Sequence, residues 1–525
     1  MRRRTLLKAT AAAPFMPLPA LAQPGAAKTL RYVPQANLTL LDPVWSTAGI
    51  TNEHGYLIFE TLYSLDSKLQ PQPQMAEGHS ISDDGRTWLI RLRSGLKFHD
   101  GERVRAIDCA VSLARWTVRD PFGQLVARAV DAWEAADDRT VRVRLNRPFP
   151  RLLDAISKVV TPPFVMPERL ARTDANSQVT EMIGSGPYRF LKDEYVSGAQ
   201  VAYARFEQYV PREESADLLA GGKRAFFDRV EWRIIPDPAT ASAALLAGEV
   251  DWWEWALPDL VPNLERSGKV TVKVTDKLGL YSILRFNTVV PPFNNVKLRR
   301  ALVAAIDQKD FMGPITANNP AAYRTCFAMI PCGLPHVREL GTDLMRPPKD
   351  IAKSRAAVAE AGYSGEKVVI LNPTDQPSLQ PLGEVAADLC EKLGMNVDLQ
   401  EMDWGSVVQR RESKEPVERG GWSMFPTNAP PFALLPAINV FIRGQGAKGY
   451  TGWYDNPEIE RLVQDWLQSK TDEEQDGIHD AIQRSAFEAP PIVPLGQYLP
   501  RTAFRNDISG TQDFIFPTFW TVRRA

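Results

Sequence analysis

The sequence predicts an α/β protein with at least two lobes, and three observations support this. The chain has 525 residues, more than one compact core usually holds. Residues 367–371, 379–393 and 396–402 have the pattern of a strand, a helix and a strand, which implies parallel pairing through a right-handed crossover. Residues 87–92 and 140–145 alternate apolar and polar side chains, as half-buried strands do.

Composition and charge exclude several functional classes. Hydrophobic residues make up 44% of the chain and charged residues 24%, which is ordinary for a globular protein and argues against a disordered or fibrous one. The 62 Lys and Arg residues nearly balance the 63 Asp and Glu residues. Such a balance gives no electrostatic footprint for nucleic acid, so no nucleic-acid partner is expected.

The first 22 residues read as an export signal. Arg2, Arg3 and Arg4 precede a modestly apolar stretch over residues 9–18, and small residues lead to an expected cleavage site near Ala22. This order is typical of a secretory signal peptide. The run RRTLLK at 3–8 also resembles a twin-arginine motif, so both the twin-arginine and the Sec route stay open. No other apolar run approaches spanning length, and we expect a soluble, periplasmic product.

The sequence shows no convincing catalytic constellation. The histidines lie singly at positions 54, 79, 99, 336 and 479, without the spacing of a metal site. The run GQGAKG at 444–449 matches a dinucleotide fingerprint by letter, but turn residues follow it where a helix should begin. We therefore expect no enzyme, no metal and no cofactor. The alternative from another class is a periplasmic hydrolase, which would need a nucleophile and base that the sequence does not reveal.

The four cysteines fall into two kinds. Cys109 and Cys390 lie in helical apolar patterns and are expected to be buried thiols. Cys326 and Cys332 lie six residues apart in a proline-rich loop. They could close a small disulfide in an oxidising compartment.

Aromatic clusters are the most suggestive local feature. Trp252, Trp253 and Trp255 surround Glu254, Trp404 follows a predicted strand, and Trp422 lies in a loop rich in glycine and proline. Solute-binding sites favour large, rigid apolar walls with a few fixed polar groups. The alternative is that these side chains belong to the core, where buried aromatic residues are common.

Short segments distributed along nearly the whole chain resemble one family, the dipeptide, oligopeptide and nickel-type substrate-binding proteins of ABC importers (bacterial extracellular solute-binding proteins, family 5). Each segment is weak alone, but their shared order makes the resemblance specific. The segments are LDP (41–43), IFETLY (58–63), LIRL (89–92) with KFHDG (97–101), GSGPYRF (184–190), AGEVD (247–251), FNT (286–288) with PPFNNVKLRRAL (291–302), and AID (305–307).

The resemblance implies a two-lobed type II periplasmic binding protein of the large class, with an extra subdomain and hinge-linked mixed sheets. Residues 1–22 would be the signal peptide, 23–68 the start of lobe 1, 69–184 its inserted subdomain, 185–285 its continuation, 286–490 lobe 2, and 491–525 the return to lobe 1. Ligand would bind between the lobes without catalysis, and the closed form would be read by the importer's membrane permease, driven by cytoplasmic ATPase subunits. We expect a monomer. A ligand sensor of the same fold is a second alternative.

The resemblance also implies where the solute binds. The family's first ligand-contacting loop corresponds to Trp45, Ser46, Thr47 and Gly49, and its pocket tryptophans to Trp404 and Trp422. Peptide-binding members carry an aspartate that pairs with the ligand's α-amino group, and Phe425 stands at that position. Classical dipeptide binding is therefore not expected, since the buried ammonium would lack its partner.

Two charged residues are candidates to replace that aspartate. Arg285, in an otherwise apolar strand, could clamp a carboxylate with two hydrogen bonds, and Glu254 could hold an amine or a hydroxyl. The alternative for each is a structural or solvent-facing role. The full set of expected ligand-binding residues is Trp45, Ser46, Thr47, Gly49, Trp253, Glu254, Arg285, Trp404, Trp422, Phe425 and Asn428.

Overall fold

The structure is a computed structural model that describes residues 28–274 and 276–525. The predicted signal peptide lies outside the described residues. The strands are β1 (Thr29–Val33), β2 (Tyr63–Leu65), β3 (Pro71–Pro73), β4 (Ala76–Ile81), β5 (Thr87–Leu92), β6 (Val130–Asp137), β7 (Thr140–Leu145), β8 (Tyr188–Phe190), β9 (Gln200–Arg205), β10 (Arg229–Arg233), β11 (Trp252–Ala256), β12 (Val270–Val274), β13 (Leu280–Phe286), β14 (Tyr323–Arg324), β15 (Lys367–Pro373), β16 (Asn396–Met402), β17 (Met424–Ala429), β18 (Ile492–Tyr498), β19 (Arg501–Arg505), β20 (Ile508–Ser509) and β21 (Arg523–Arg524).

The helices connect and cover these strands. They are α1 (Gly49–Ile58), α2 (Ala106–Arg119), α3 (Pro121–Ala127), α4 (Leu152–Ile156), α5 (Glu168–Ala171), α6 (Pro238–Ala247), α7 (Val261–Arg266), α8 (Val296–Ala305), α9 (Gln308–Ile315), α10 (Ile351–Glu360), α11 (Gln380–Lys392), α12 (Trp404–Arg410), α13 (Pro457–Gln468) and α14 (Asp472–Glu488). No helix in the described part of the chain is long and apolar enough to cross a membrane.

Lobe 1 is built on a mixed sheet. Its order in the described residues is β12-β19-β11-β1-β10-β9-β8, with β1 parallel to both β10 and β11 and the other pairs antiparallel. Tyr32 packs edge-on against Trp252 and Phe519 on one side of the sheet. Trp253 belongs to a separate buried cluster with Leu245 of α6 and Leu264 of α7. The alternation of strand side chains thus gives this sheet two apolar faces.

Lobe 2 contains the strand–helix–strand unit that the sequence predicts. Its sheet has the order β14-β18-β13-β17-β15-β16 in the described residues, and β15 pairs in parallel with both β16 and β17. Asn295 accepts hydrogen bonds from the amides that begin α8, and Asp350 does the same for α10. Both predicted helix starts are confirmed, because a short polar side chain satisfies otherwise orphaned N–H groups.

The inserted subdomain is a four-stranded antiparallel sheet, ordered β4-β5-β7-β6 in the described residues, that packs against α2. The predicted alternation is confirmed, since Trp88, Ile90 and Leu92 of β5 are buried while Leu89 and Arg91 are exposed. A buried ion pair ties the subdomain to lobe 1. Arg115 Nη2 of α2 lies 2.7 Å from Asp42 Oδ2, and both side chains are almost fully buried.

The strand pairing places the crossings between lobes differently from the expected boundaries at 285/286 and 490/491. Strands β13 and β18 pair with each other inside the lobe 2 sheet, although the expected boundaries assigned both to lobe 1. The chain therefore crosses at residues 276–279 and 499–500. The expected boundary at 285/286 was placed at the family segment FNT (286–288), which marks the end of strand β13. A segment at the end of a strand does not show to which sheet that strand belongs.

The cysteines fall where the sequence suggests. The structure joins Cys326 and Cys332 in a disulfide, and Cys109 and Cys390 are free and buried. Burial raises the pKa of both free thiols well above the ordinary range, so they are unreactive packing groups.

Candidate functional site

A buried carboxylate holds the loop that was expected to contact the solute from lobe 1. Asp42 accepts hydrogen bonds from the backbone amides of Val44 at 3.0 Å and Val179 at 2.9 Å, besides its ion pair with Arg115. These bonds satisfy the desolvated carboxylate. They fix the start of the segment 45–49 before α1 begins.

Within that segment the predicted residues differ in accessibility. Trp45 is half-buried, with the Arg119 guanidinium 5.3 Å from its ring centre and its Nε1 donating to Asn176 O at 3.3 Å. Thr47 is exposed, whereas Ser46 is buried. Gly49 is half-buried at the first turn of α1, where an added Cβ would lie 3.4 Å from the Gln35 amide nitrogen. Trp45, Thr47 and Gly49 are thus at least partly accessible to solvent, whereas Ser46 is not.

Glu254 lies in a buried pair of carboxyl groups. Its Oε2 accepts from the Gln35 backbone amide at 2.7 Å, and the Gln35 side-chain amide donates to both Glu254 at 3.1 Å and Glu53 at 2.8 Å. Among the described residues, no Lys or Arg forms an ion pair with either carboxyl. Burial raises the pKa of both groups, and the charge of Glu254 raises that of Glu53 further. The pair therefore keeps a proton to higher pH than free glutamates do, and its hydrogen bonds lie within lobe 1.

Trp253 does not line a cleft. It is 5% exposed and packs in the cluster with α6 and α7. Consecutive strand residues point to opposite faces, so Trp253 faces the helices while Glu254 faces Gln35. The prediction that Trp253 contacts the ligand therefore does not fit this structure.

On the lobe 2 side, Trp422 and Phe425 are fully buried neighbours. Their rings lie 5.1 Å apart in an edge-to-face arrangement, within an apolar cluster that includes Val369 and Trp453. The indole Nε1 of Trp422 donates to Arg411 O at 3.0 Å. Neither ring is exposed, so in this structure neither predicted residue presents a surface to a ligand.

Arg285 is a structural arginine in this conformation. Its Nε donates to Thr451 O at 2.8 Å, and its Nη1 donates to Phe441 O at 2.6 Å and Pro491 O at 3.3 Å. The side chain is completely buried, and desolvation lowers its pKa to about 10. Backbone carbonyls thus occupy most of the donors that were expected to clamp a carboxylate. Nη2 is buried without a hydrogen-bond partner.

Trp404 and Asn428 lie near the carboxyl ends of β16 and β17, and the end of β17 pairs with the start of β13, next to a crossing segment. Trp404 directly follows β16, where its amide donates to Asp375 Oδ1 at 2.8 Å. Asn428 lies near the end of β17, and its Nδ2 is 3.3 Å from Ser378 Oγ. Both are half-buried. The carboxyl ends of parallel strands are the usual place for a ligand in such sheets.

Arg411 is absent from the sequence-based predictions, and the structure places it at the centre of the lobe 2 aromatic residues. Its Cζ lies 5.6 Å from the ring centre of Trp404, 5.7 Å from that of Phe425 and 5.4 Å from that of Tyr450. Its Nη1 donates to Tyr450 Oη at 3.0 Å. The sequence offered one indication of this contact, a basic residue seven positions after Trp404, separated from it by a short helix.

The two lobes touch in this structure. Phe432 of lobe 2 and Phe514 of the C-terminal segment lie 5.6 Å apart between ring centres. The inserted subdomain also reaches lobe 2, since Arg151 Nη2 donates to Ser469 Oγ at 3.0 Å. Both contacts join lobe 2 to the rest of the molecule.

A cavity of about 150 Å³ lies between the inserted subdomain and lobe 2. None of the predicted ligand-binding residues lines it, and its walls come from segments too far apart in sequence to be grouped beforehand. The principal lining residues are Leu65, Leu69, Arg151, Asp154, Leu334, His336, Phe432, Trp466 and His479.

The described residues offer little for a metal ion. The one grouping of three ligand-type side chains in that part of the chain is Cys326, Cys332 and Glu339. Because the two sulfurs are joined to each other, no thiolate is available there.

Comparisons with known proteins identify solute-binding proteins, and the similarity to individual relatives extends over nearly the whole chain. The sequence profile described as "Bacterial extracellular solute-binding proteins, family 5 Middle" matches residues 70–437. A probable peptide ABC transporter periplasmic-binding protein from Sinorhizobium fredii is 35% identical over 534 residues, covering 100% of this chain and 99% of the relative. A glutathione-binding protein from Pectobacterium atrosepticum is 26% identical, covering 94% and 93%. The structure of AgaA from A. tumefaciens R10 with agropinic acid has a TM-score of 0.77 and 19% identity, covering 95% and 99%.

Proposed function

Because this chain belongs to the bacterial extracellular solute-binding proteins of family 5, we propose that it holds its solute between its two lobes. Members of this family are the substrate-binding components of ABC peptide importers. The solute would lie between the 45–49 segment of lobe 1 and the carboxyl ends of β16 and β17 in lobe 2. Trp45, Thr47 and Gly49 would contact the solute from one side, and Trp404 and Asn428 from the other. The protein is not an enzyme, and the permease would recognise the closed form.

The observation that supports a particular class of solute is the apolar environment of Phe425. This residue stands where the family's peptide-binding members carry an acid, and its neighbours are Trp422 and the Arg411 guanidinium. A buried ammonium group would find a cation there instead of a carboxylate, which is costly. The solute is therefore a peptide-like or other small organic molecule that is not anchored by a free α-amino group.

Capture proceeds by a shift in population. A solute that contacts both lobes binds the closed form more tightly and so favours it. Converting a mostly open protein into a mostly closed one takes a differential affinity of about 5.5 kcal/mol. The existing contacts between lobes supply part of the free energy of closure, and the solute supplies the rest.

The test is a thermal-shift screen of the purified protein, followed by calorimetric titration. Paired peptides with free and acetylated N-termini form the decisive subset, because a ligand that binds only the folded state raises the midpoint by mass action. We expect acetylated or otherwise amine-free compounds to bind at least as well as their free-amine partners. A consistent preference for the free amine would contradict the proposed solute class.

The alternatives have their own outcomes. Mass spectrometry of each hit after incubation would show turnover if the protein were a hydrolase. A deletion strain with normal uptake of the hit but altered chemotaxis would favour the sensor.

We further propose that residues 1–22 are removed on export. N-terminal sequencing of the periplasmic protein should begin at Gln23, and the full-length N-terminus there would contradict this. Replacing Arg3 and Arg4 by lysines tests the route, since only twin-arginine export should fail.

A further inference from the structure

We propose that Arg411, with the rings of Trp404, Phe425 and Tyr450, forms a subsite for a carboxylate of the solute. The inference rests on the proposed function, because it needs a solute in the cleft. It goes further by naming the group that this part of lobe 2 recognises. The carboxylate could be the C-terminal group of a peptide or one on a side chain.

The three rings hold the guanidinium in place without neutralising it. Each ring centre lies within 5.7 Å of Cζ, the range in which an aromatic face attracts a cation. The hydrogen bond to Tyr450 Oη fixes one nitrogen, Nη1. The guanidinium is thus oriented beforehand, and little further side-chain entropy would be lost when an anion binds.

The charge of Arg411 lacks a firm carboxylate partner. The only ion pair that it forms in the described part of the chain is with Glu412, 3.9 Å from Nε, and the Glu412 side chain is 64% exposed. Such a surface pair contributes little. Nε itself is buried and has no hydrogen-bond partner. An unsatisfied buried donor is costly, and a solute oxygen would remove that cost.

Other buried arginines of this protein show what a satisfied guanidinium looks like. Arg443 donates from Nε and Nη2 to the two oxygens of Glu460, at 2.7 and 2.6 Å. Arg115 pairs with Asp42 at 2.7 Å. The two-pronged geometry of Arg443 and Glu460 is the one that a solute carboxylate would reproduce at Arg411.

The surroundings of Arg411 also favour an anion. The Arg285 guanidinium lies 5.7 Å from the centre of the same Tyr450 ring, with Nη2 buried and unpartnered. The buried hydroxyl of Thr451, next in sequence to Tyr450, has no partner either. Two guanidinium groups beside one ring attract negative charge and repel an ammonium group.

The guanidinium of Arg411 is not completely enclosed. Trp404 and Tyr450 are half-buried, and the Arg411 side chain is 15% exposed. Trp404 lies just beyond the carboxyl end of β16. The crossing segments adjoin the same end of the lobe 2 sheet. A carboxylate entering beside Trp404 would meet the exposed part of the guanidinium first, and a hydrogen bond to the buried Nε would need a small shift of the surrounding rings.

The experiment compares matched probes rather than an unidentified solute. N-acetylated di- and tripeptides are prepared as free acids and as C-terminal amides, and a parallel set carries its only carboxylate on a Glu side chain. Affinities are measured by calorimetry on the full chain and on the variants Arg411→Gln, Arg411→Lys and Arg419→Gln. Arg419 is a control, because its side chain is 71% exposed on the same segment of lobe 2.

We expect free acids to bind at least tenfold more tightly than amides, and the difference to vanish in Arg411→Gln. Arg411→Lys should keep part of it, because a lysine retains the charge without the two-pronged geometry, and Arg419→Gln should keep all of it. If the peptides with a free C-terminus bind more tightly, the subsite recognises the C-terminal carboxylate. If the peptides whose only carboxylate is on Glu bind more tightly, it recognises a side-chain carboxylate.

Equal binding of acids and amides by the wild-type protein would overturn the subsite, as would binding of no acid at millimolar concentration. An unchanged preference in Arg411→Gln would do the same. If Arg411→Gln does not fold by circular dichroism, Arg411→Lys decides. These failures are distinct from failure of the proposed function, which would appear as normal solute uptake in a strain lacking the chain.

Discussion

Arg151 of the inserted subdomain donates a 3.0 Å hydrogen bond to Ser469 of lobe 2, and its guanidinium lies 5.6 Å from the ring centre of Trp466. Both partners belong to lobe 2, so these contacts join the inserted subdomain to the other lobe. The subdomain thus takes part in closure beside the 150 Å³ cavity.

Arg151→Gln should weaken the closed form. The variant loses a cation–aromatic contact and a charged hydrogen bond, together worth about 1 kcal/mol at a partly exposed site. We expect solute affinity to fall several-fold and small-angle scattering to show a larger radius of gyration without solute. Arg147→Gln is the matched control, because Arg147 is exposed. Identical scattering and affinity in the two variants would show that Arg151 does not contribute to closure.

The Glu53–Glu254 pair should make lobe 1 less stable as pH rises. Burial raises the pKa of both carboxyls in the folded state, so the folded protein holds a proton that the unfolded chain releases above about pH 4.3. The contribution of this bound proton to the free energy of unfolding is fully present below that pH. The free energy of unfolding then falls as pH increases toward neutrality.

Glu254→Gln should flatten that pH dependence, since an amide cannot ionise. Urea unfolding at pH 5, 7 and 8 would measure it, with the exposed Glu249→Gln as control. The idea fails if Glu254→Gln and the wild type lose stability in parallel over this range.

Arg285→Met should destabilise the protein strongly. The substitution leaves the buried backbone carbonyls of Thr451 and Phe441 without a donor, and the Pro491 carbonyl keeps only the Phe286 amide. Loss of a buried hydrogen-bond network costs about 2–4 kcal/mol even after the desolvation penalty of the arginine is recovered. Urea unfolding provides the measurement. Arg266→Met, at an exposed position in α7, should change stability little, and equal effects of the two would refute the structural role of Arg285.

Gly184→Ala should also destabilise lobe 1. An added Cβ would lie 2.2 Å from the carbonyl oxygen of Ile58 at the end of α1, so the backbone must move. Overpacking of this kind costs roughly 1–3 kcal/mol or more. Gly78→Ala is the control, because nothing lies within 4 Å of its added Cβ. Thermal unfolding of both variants checks the difference, and equal midpoints would contradict it.

Much of the fold follows from local patterns. The caps at Asn295 and Asp350, the alternation along β5 and β7, and the parallel unit around α11 depend on residues close together in sequence. Family membership also follows from short segments in order. The candidate site was less predictable, because Trp253, Trp422 and Phe425 carry the right side chains in the right segments and are nevertheless buried.

The sequence by itself determined the α/β class and the family, and the resemblance placed Phe425 where an acid is expected. Only the tertiary structure decided which side chains reach the cleft and which charges are compensated. The physical reason is distance along the chain, since Gln35 meets Glu254 across 219 positions and Arg151 meets Ser469 across 318. Burial and pairing are properties of such contacts. For that reason Arg285, an expected clamp, holds the backbone, while Arg411, which no local pattern singled out, lies among aromatic rings without a firm partner.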